Sequence, residues 1–392
     1  MSTTTTASQR EQNLASIKST LLPTTTSRSA SQMPIIDAHI HLYPASEAST
    51  LAWLPEDAEA VAAHPLAGQH SLDEYADATT GPEGTGTGTG TALEGFVLVE
   101  ADRQHDLASG LQDGSGWAGP LMEVDWQRRV ALGTPRAGEG HSAAQAALCL
   151  AVVAWAPLPS GPTGMERYVR AVQERAGPSF AKIRAFRYLV QDKPRGTMLT
   201  ADFIESLRWM GTRGYVFDVG VDHHRQGDWV LQEAVEMIGR AHEGVAEENR
   251  VAFVLDHLCK PDLTIADEDV SSNVGFQTWR EAIFTLSRCS KTYVKLSGCF
   301  SEMADALPTA SGDDIFMAIQ PWLAVILATF GPSRIMFASD WPVCTGGPGD
   351  EAWRKWRQVV QRMCELADLG LPEQIMIWSG TAIRAYGIEE LL

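Results

Sequence analysis

Eight short apolar runs alternate with longer segments of helical pattern, and this alternation constrains the fold of the chain most strongly. Parallel strands need a crossover of a dozen or more residues between them, usually a helix, so the pattern predicts βα units around a parallel sheet. The segments between the runs carry apolar residues at three-to-four spacing, as in DWVLQEAVEMIGRAHE. In chain order the runs are PIIDAHIHL, EGFVLVEA, CLAVVAWAPL, AKIRAFRYL, GYVFDVGVD, RVAFVLDHL, TYVKLSG and RIMFASDWP.

The number of runs favours a closed (β/α)8 barrel, the TIM barrel, over an open doubly wound sheet. A doubly wound sheet normally has a glycine-rich phosphate-binding turn after its first strand, whereas the first run here ends in DAHIHLYP. We therefore predict an α/β fold with a single TIM-barrel domain over residues 34–392. Loop insertions are expected near residues 79–91, a Gly/Thr-rich segment, and near residues 110–140, which could reach over the mouth of the barrel.

The N-terminal segment, residues 1–33, is rich in serine and threonine, and we predict it to be a disordered tail. It holds Arg10, Lys18 and Arg28 against a single acid, Glu11, so it is similar in composition to a mitochondrial presequence. It lacks the apolar stretch of a secretory signal. The expected location is cytoplasmic, with the mitochondrion as the alternative.

Composition excludes several classes of partner. The formal net charge of −18 would repel phosphate backbones and anionic lipid head groups, so we expect a small-molecule substrate, no nucleic acid and no membrane. We also expect no membrane helix, since no apolar run approaches the roughly 20 residues required. The six cysteines include no CxxC pair, which argues for free thiols in a reducing compartment. The sequence carries no sign of an oligomeric state.

Polar residues lie at the ends of several predicted strands, where the catalytic groups of a TIM barrel are found. Alternation along an extended strand places Asp37, His39 and His41 on one face of the first run. Burial of unpartnered polar groups costs a few kcal/mol each, so such groups indicate either a bonded cluster or a ligand site. The residues at the other strand ends are Arg187, Asp256, His257, Lys295 and Asp340.

These residues carry a resemblance to the amidohydrolase-related superfamily, and within it to the branch of sugar-lactone and 2-pyrone-4,6-dicarboxylate lactonases. The resemblance extends from Met33 to about Gly387 and implies a TIM-barrel hydrolase that opens a lactone. The matching pieces are IDAHIHLYP for a DxHxH first strand, FRYLVQDKP for an Arg-containing fourth, FDVGVDHHRQ for the fifth, VLDHLCKPDL for a DHxGKP-type sixth, VKLSGCFSEM for a KLSG seventh, MFASDWPVC for a GSDWPV eighth and IWSGTAIRAYG for a closing GNAxxxYG helix.

The chain departs from the family pattern at two positions within these motifs. Cys259 stands where the sixth-strand motif often has glycine, and Ala338 stands where glycine is common before Ser-Asp. The two predicted loop insertions also look longer than is usual in the family. All three departures could alter the fit of the substrate, and none removes a predicted catalytic residue.

Opening a lactone requires a base for the attacking water, donors for the developing oxyanion and a proton for the departing alkoxide. We predict that Asp340 is the general base and that His39, His41 and His257 polarise the carbonyl or bind a metal. Arg187 is predicted to be a catalytic cation. Asp256 is a candidate for orienting a ring nitrogen.

The substrate class follows only from the resemblance, which implies a sugar-acid lactone similar to L-rhamnono- or L-fucono-lactone. For such a polyol we predict Lys295, Trp341, Trp155 and His224 as substrate-binding residues, with His223 as an alternative to His224. A 2-pyrone-4,6-dicarboxylate would instead need several cations at the mouth. Those available are Arg187, Lys295, Lys260 and Arg103.

Whether a metal takes part is left open by the residues. His39, His41 and Asp340 form a plausible Zn²⁺ set, and bound Zn²⁺ would provide hydroxide near neutral pH. A lactone needs less activation than an amide, and the resemblance includes enzymes that work without metal, so we expect that no cofactor is required. The alternatives are a metal-dependent amidohydrolase or decarboxylase of the same superfamily, and a barrel that serves only as a binding or scaffold protein.

Overall fold

The computed structural model describes residues 33–55, 57–80, 93–265 and 267–391, and within these ranges eight parallel strands form one sheet. Each strand pairs with its neighbours in sequence, in the order β1 to β8. The strands are β1 Ile35–Ile40, β2 Leu93–Val99, β3 Cys149–Trp155, β4 Ile183–Arg187, β5 Val216–Val219, β6 Ala252–Leu255, β7 Thr292–Leu296 and β8 Ile335–Phe337.

Backbone hydrogen bonds just beyond β8 bring the last strand against the first. The Asp340 amide donates to the carbonyl oxygen of His39 at 2.9 Å, and the His41 amide donates to the carbonyl oxygen of Trp341 at 2.7 Å. The sheet is thereby nearly closed, which confirms the predicted (β/α)8 barrel. The predicted tail lies almost wholly outside the described residues, as does most of the Gly/Thr-rich segment, and both remain predictions.

Helices occupy the connections between the strands and surround the barrel. Their apolar faces pack on the outward-facing strand residues to form the larger core, as Trp279, Trp322 and Leu207 do. The helices are α1 Ala58–Ala63, α2 Leu72–Thr80, α3 Leu107–Asp113, α4 Ala118–Leu132, α5 Gly161–Ala176, α6 Ala201–Gly211, α7 His223–Gln226, α8 Asp228–His242, α9 Val274–Ser287, α10 Gly312–Phe330, α11 Ala352–Leu366, α12 Leu371–Ile375 and α13 Thr381–Ala385.

A second cluster of apolar side chains fills the interior of the barrel. Ile36, Val97, Val216 and Met336 belong to it, together with Tyr386 just beyond α13. This packed interior leaves the polar residues further along the same strands as the lining of the mouth.

The prediction that Asp37 shares a face with His39 and His41 is wrong. The pairing register of β1 is irregular between Asp37 and Ile40, so the simple alternation of faces is broken there. The Asp37 carboxylate instead accepts hydrogen bonds from the helix residues Tyr75, at 2.9 Å, and Trp353, at 2.8 Å. Asp37 therefore ties β1 to the helical layer, while both histidines reach the mouth.

The prediction of a loop insertion near residues 110–140 is also wrong for most of that range. It contains the end of α3 and all of α4, a 15-residue helix. The frequent glycines suggested a loop, but Val124, Trp126 and Val130 of α4 are buried and supply the apolar face that a helix needs. The helix packs on the barrel and forms part of the outer layer.

One described helix, α10, is long and apolar enough by length and composition to cross a membrane, contrary to the expectation from the sequence. Its 19 residues carry a buried stripe that includes Ile315, Ile319, Leu323 and Ile326. This stripe belongs to the same core as the other barrel helices. The helix occupies the α position between β7 and β8, as a barrel helix does.

Candidate active site

Three histidines and one aspartate converge at the C-terminal mouth of the barrel. His39 and His41 come from the end of β1, His257 follows β6, and Asp340 follows β8. One carboxylate oxygen of Asp340 lies 3.6 Å from His39 Nε2, 3.5 Å from His41 Nε2 and 3.7 Å from His257 Nε2. The structure thus brings together four of the five residues predicted to be catalytic, with this oxygen at their centre.

Both ring nitrogens of each β1 histidine lie close to a polar neighbour. The Lys295 ammonium lies 3.0 Å from His39 Nδ1, and a carboxylate oxygen of Asp256 lies 3.3 Å from the same nitrogen, so Nδ1 has a partner whether it accepts or donates. His39 Nε2 lies 3.1 Å from His41 Nε2. His41 Nδ1 donates to the carbonyl oxygen of Val99 at 3.1 Å. The two rings are therefore in contact through their Nε2 atoms, and protein groups hold both Nδ1 atoms.

The pKa values of the buried rings are consistent with neutral histidines. Burial, with the positive charge of Lys295, holds the pKa of His39 well below its usual range. Burial also lowers the pKa of His257 to about 4, although the Asp340 carboxylate acts in the opposite direction. Both rings are therefore uncharged at neutral pH.

Asp340 is ionised under the same conditions. Burial alone would raise its pKa, but the interactions with His257, His41 and His39 outweigh burial and hold the pKa well below its usual range. Its backbone is in the left-handed region, with φ 64°, which is uncommon for a residue other than glycine. The site thus holds one charged carboxylate among neutral rings.

Lys295 lies beneath His39 in the barrel and is fully buried. Its ammonium contacts carboxylate oxygens of Asp218 and Asp256, the latter at 3.0 Å. Burial raises the pKa of Asp218 to about 6, although both Lys295 and the hydrogen bond from Tyr386 lower it. Lys295 was predicted to bind substrate, but it is not among the described residues that line the mouth cavity. That role stays a prediction, and the structure shows Lys295 supporting His39.

Arg187, at the end of β4, bridges two other carboxylates. Its Nε donates to a carboxylate oxygen of Glu100, its Nη2 to the carbonyl oxygen of Glu100 at 2.6 Å, and its Nη1 to Asp256 at 3.4 Å. Burial would lower the pKa of Arg187, but Glu100 and Asp256 raise it further above its usual value. Arg187 lines the cavity as a cation whose charge is already balanced by protein carboxylates.

The turn after β6 presents His257 to the mouth through an unusual backbone. Left-handed conformations cost L-residues roughly 1–2 kcal/mol each, which explains why the family often has glycine at the position of Cys259. Gly298, after β7, lies against this turn, and a Cβ there would come within 2.5 Å of His257 Nδ1. The four consecutive residues of positive φ are His257 (54°), Leu258 (55°), Cys259 (62°) and Lys260 (47°).

A cavity of about 250 Å³ opens above the histidine cluster. Aromatic and apolar side chains line it together with carboxylates, an amide and two cations. This mixture suits a small ligand with both polar and apolar faces. The lining residues are His41, Tyr43, Trp53, Leu66, Ala101, Asp102, Arg187, Leu189, Gln191, Gly220, Asp256, His257, Lys260, Asp340 and Val343.

The other predicted substrate-binding residues lie elsewhere, and their roles stay predictions. Trp341 is 3% exposed and packs against Tyr75, and Trp155 is 2% exposed and packs against Tyr168. His224 bonds to Glu302 through Nδ1 at 2.9 Å. None of the three is among the described residues that line the cavity.

Several site residues were missed from the sequence. Glu100 and Asp102 follow the end of β2. A search for polar residues at strand ends, which identified Arg187 and Asp340, would also have selected them. Ser297, which bonds His257 Nδ1 at 2.9 Å, directly follows β7 and could have been selected in the same way, whereas Asp218 lies within β5. Trp53 comes from a region without a strand pattern and reaches the cavity through tertiary packing.

The donor atoms at the mouth also fit a divalent cation. Zn–N distances of 2.0–2.1 Å place two tetrahedral ligands about 3.4 Å apart, close to the spacing of His39 Nε2, His41 Nε2 and the Asp340 oxygen. A second overlapping set combines His39 with Asp256 and His257. A metal on His39 Nε2 would require the ring proton on Nδ1, where the Asp256 carboxylate oxygen at 3.3 Å is available to accept it beside the Lys295 ammonium at 3.0 Å. The spacing of the donor atoms and the position of Asp256 therefore both accommodate a metal at His39.

Known proteins similar to this chain include sugar lactonases. L-rhamnono-gamma-lactonase of Scheffersomyces stipitis is 32% identical over 91% of this chain and 100% of the relative. L-fucono-1,5-lactonase of Burkholderia multivorans is 33% identical over 53% of this chain and 64% of the relative.

Structural and family comparisons agree with these similarities. A crystal structure of an amidohydrolase from Burkholderia multivorans with bound zinc has a TM-score of 0.62 and 27% identity, covering 90% of this chain and 99% of that chain. The sequence model of the amidohydrolase family matches residues 36–388, which include the whole histidine cluster and every strand of the barrel except the first residue of β1. The chain therefore belongs to the amidohydrolase family.

Proposed function

We propose that this protein is a lactone hydrolase that opens a sugar-acid lactone, of the L-rhamnono- or L-fucono-lactone type, to the free acid. The observation that carries the proposal is the ionised Asp340 carboxylate held among three histidines on the floor of a small cavity. The similarity to the Scheffersomyces lactonase over 91% of this chain supports the substrate class.

The mechanism assigns the first proton transfer to Asp340. Its carboxylate accepts a proton from water as the hydroxyl oxygen attacks the lactone carbonyl carbon. His257 is neutral, and its Nδ1 is bonded to Ser297, so Nε2 faces the cavity as a candidate donor to the oxyanion. Lys260 also lines the cavity and provides a cationic donor.

The charges of the cavity favour a neutral polyol over a pyrone dicarboxylate. Of the four cations that could bind two carboxylates, Lys295 and Arg103 are fully buried in ion pairs, and Arg187 is paired with Glu100 and Asp256. Of these four, only Lys260 lines the cavity without a close carboxylate partner. The carboxylate oxygen nearest to its Nζ belongs to Asp222 and is 3.9 Å away. A dianionic substrate would lack compensating charge.

We further propose that the reaction does not require a metal. The buried Lys295 ammonium, 3.0 Å from His39 Nδ1, already places a positive charge beside the histidine cluster, which supports activity of the metal-free protein. Where a cation does bind, His39, His41 and Asp340 would hold it, and it would lower the pKa of a bound water.

The direct test is acid release, followed with a pH indicator, from a panel containing L-rhamnono-γ-lactone, an L-fucono-lactone and 2-pyrone-4,6-dicarboxylate. We expect hydrolysis of at least one sugar lactone and none of the pyrone, with kcat within about twofold after chelation and removal of metal. Hydrolysis of the pyrone alone would reject the substrate class. Loss of activity on chelation, restored by Zn²⁺, would reject the metal-independent mechanism.

A further inference from the structure

Asp102 is a cavity residue that the mechanism above leaves without a role. It lies beyond the end of β2 and lines the same cavity as Asp340 and His257. Its side chain is half-buried, and among the described residues its carboxylate oxygens have no hydrogen-bond or ion-pair partner. A carboxyl group left free in this way is available to a ligand.

The backbone holds Asp102 in a fixed and strained position. Its φ of 54° is in the left-handed region, which costs an L-residue about 1–3 kcal/mol. The Asp102 amide donates to Glu100 Oε2 at 2.7 Å, and its carbonyl oxygen accepts from the Ala52 amide at 2.8 Å. Strained residues held in this way are concentrated at functional sites.

The proposed reaction still needs a proton donor for the ring oxygen that departs from the carbonyl carbon. We propose that Asp102 is this general acid, which deepens the function proposed above and depends on it. Asp340 takes a proton from water, the hydroxyl adds to the carbonyl, and the ring C–O bond breaks with its electron pair on the ring oxygen. Asp102 then gives its proton to that oxygen, forming the free hydroxyl of the product.

The cycle balances without a further reactant. The product carboxylic acid ionises and releases one proton to solvent, which is the acid that the indicator detects. Asp340 loses the proton that it gained, and Asp102 regains one from solvent water. One lactone and one water give one hydroxy acid.

The charged surroundings keep a usable fraction of Asp102 protonated near neutral pH. Burial is the main cause that raises the pKa of Asp102, to about 7, and the carboxylates of Glu100 and Asp192 add to it. Arg187 and Lys193 act in the opposite direction but do not cancel the effect. A general acid is most effective when its pKa is close to the working pH.

The test compares D102N with wild-type protein on L-rhamnono-γ-lactone. Asparagine has the same size and tolerates a left-handed backbone, so the substitution removes the transferable proton with little strain. D192N is the matched control, because it removes an exposed carboxylate from the same surroundings. For D102N we expect kcat to fall 100-fold or more with KM within about threefold, and for D192N we expect kcat within about twofold.

The dependence of kcat/KM on pH distinguishes a proton donor from a residue with only a structural role. Protonated Asp102 is the active form, so wild-type kcat/KM should fall as the pH rises through about 7, and D102N should lack this decline. An alkaline decline that persists in D102N would overturn the proposal. A wild-type profile without the decline would also overturn the proposal. A D102N effect confined to KM would do so as well, because it would indicate that Asp102 binds a substrate hydroxyl. Wild-type protein that hydrolyses none of the sugar lactones would instead reject the proposed function itself.

Discussion

The histidines at the mouth are chemically distinct from ordinary surface histidines because each has a fixed partner. Lys295 faces His39 Nδ1, and Ser297 faces His257 Nδ1. Burial keeps both rings neutral, while Asp340 stays ionised beside them. A base and its neutral hydrogen-bonding partners can thus coexist within 4 Å at neutral pH.

This arrangement predicts that kcat/KM falls at an unusually low pH on the acid side of its pH profile. Since the pKa of His257 is lowered to about 4, we expect kcat/KM to stay within about twofold between about pH 6 and pH 5 and to fall only near pH 4. The fall comes from protonation of His257, which removes a neutral ring from the site. Steady-state rates in overlapping buffers measure this, and a half-maximal point near pH 6.5, the ordinary histidine value, would contradict it.

At the scale of elements, the loops after β6 and β7 fit together closely enough to limit the residues that each can hold. The left-handed turn at residues 257–260 directs His257 and Lys260 towards the cavity, and Gly298 gives the turn the space that it needs. The glycine of the KLSG motif therefore has a steric explanation. Cys259, in the same turn, has a left-handed backbone conformation that glycine adopts with less steric strain.

Gly298→Ala should impair the enzyme through this contact. The new Cβ would lie 2.5 Å from His257 Nδ1 and would displace the ring from Ser297, so we expect kcat to fall at least tenfold. Gly214→Ala is the control, because Gly214 also has positive φ but has no atom within 4 Å of the added Cβ. Gly214→Ala should lose roughly 1–2 kcal/mol of stability from its left-handed backbone, and Gly298→Ala should lose more because of the added clash. Equal kcat values for the two variants would refute the steric account.

At the scale of the whole molecule, the barrel places charges from distant parts of the sequence in one buried network. Lys295 on β7 contacts Asp218 on β5, Asp256 after β6 and His39 on β1. Arg187 on β4 continues the network to Glu100. The floor of the site is therefore part of the barrel core, and the same contacts that position the histidines also compensate buried charge.

Lys295→Met should accordingly destabilise the whole protein. It leaves Asp218 and Asp256 without their buried ammonium partner, and removing one partner of a buried ion pair typically costs about 3–5 kcal/mol. Lys193→Met removes a lysine paired with the exposed Asp192, and we expect a loss below about 1 kcal/mol. Urea unfolding of both variants measures the difference; comparable losses would show that the network does not support the barrel.

The barrel itself could be predicted from the sequence because each strand and helix leaves a local apolar pattern. The polar residues at the ends of β1, β4, β6 and the segment after β8 could be identified because they interrupt such patterns. Asp37 was assigned to the wrong face because a register irregularity leaves no sign in the sequence. The helix at residues 118–132 was missed because the glycines around it outweighed its apolar face.

The shape of the cavity was the least predictable feature. Trp341 and Trp155 were chosen as stacking residues because they lie near strand ends, yet both pack in the outer core. Trp53 and Tyr43, from the segment after β1, line the cavity instead. Which aromatic ring reaches a cavity depends on loop packing, and no periodic pattern encodes it.

The central claim is that Asp340 is the general base of a lactone hydrolase, and the most direct measurement is kcat of wild-type and D340N protein on L-rhamnono-γ-lactone. Asparagine preserves size and tolerates the left-handed backbone but cannot accept the proton of water. We expect kcat of D340N to fall 100-fold or more, with thermal unfolding showing that the variant is folded. A folded D340N protein that loses less than about tenfold would contradict the account.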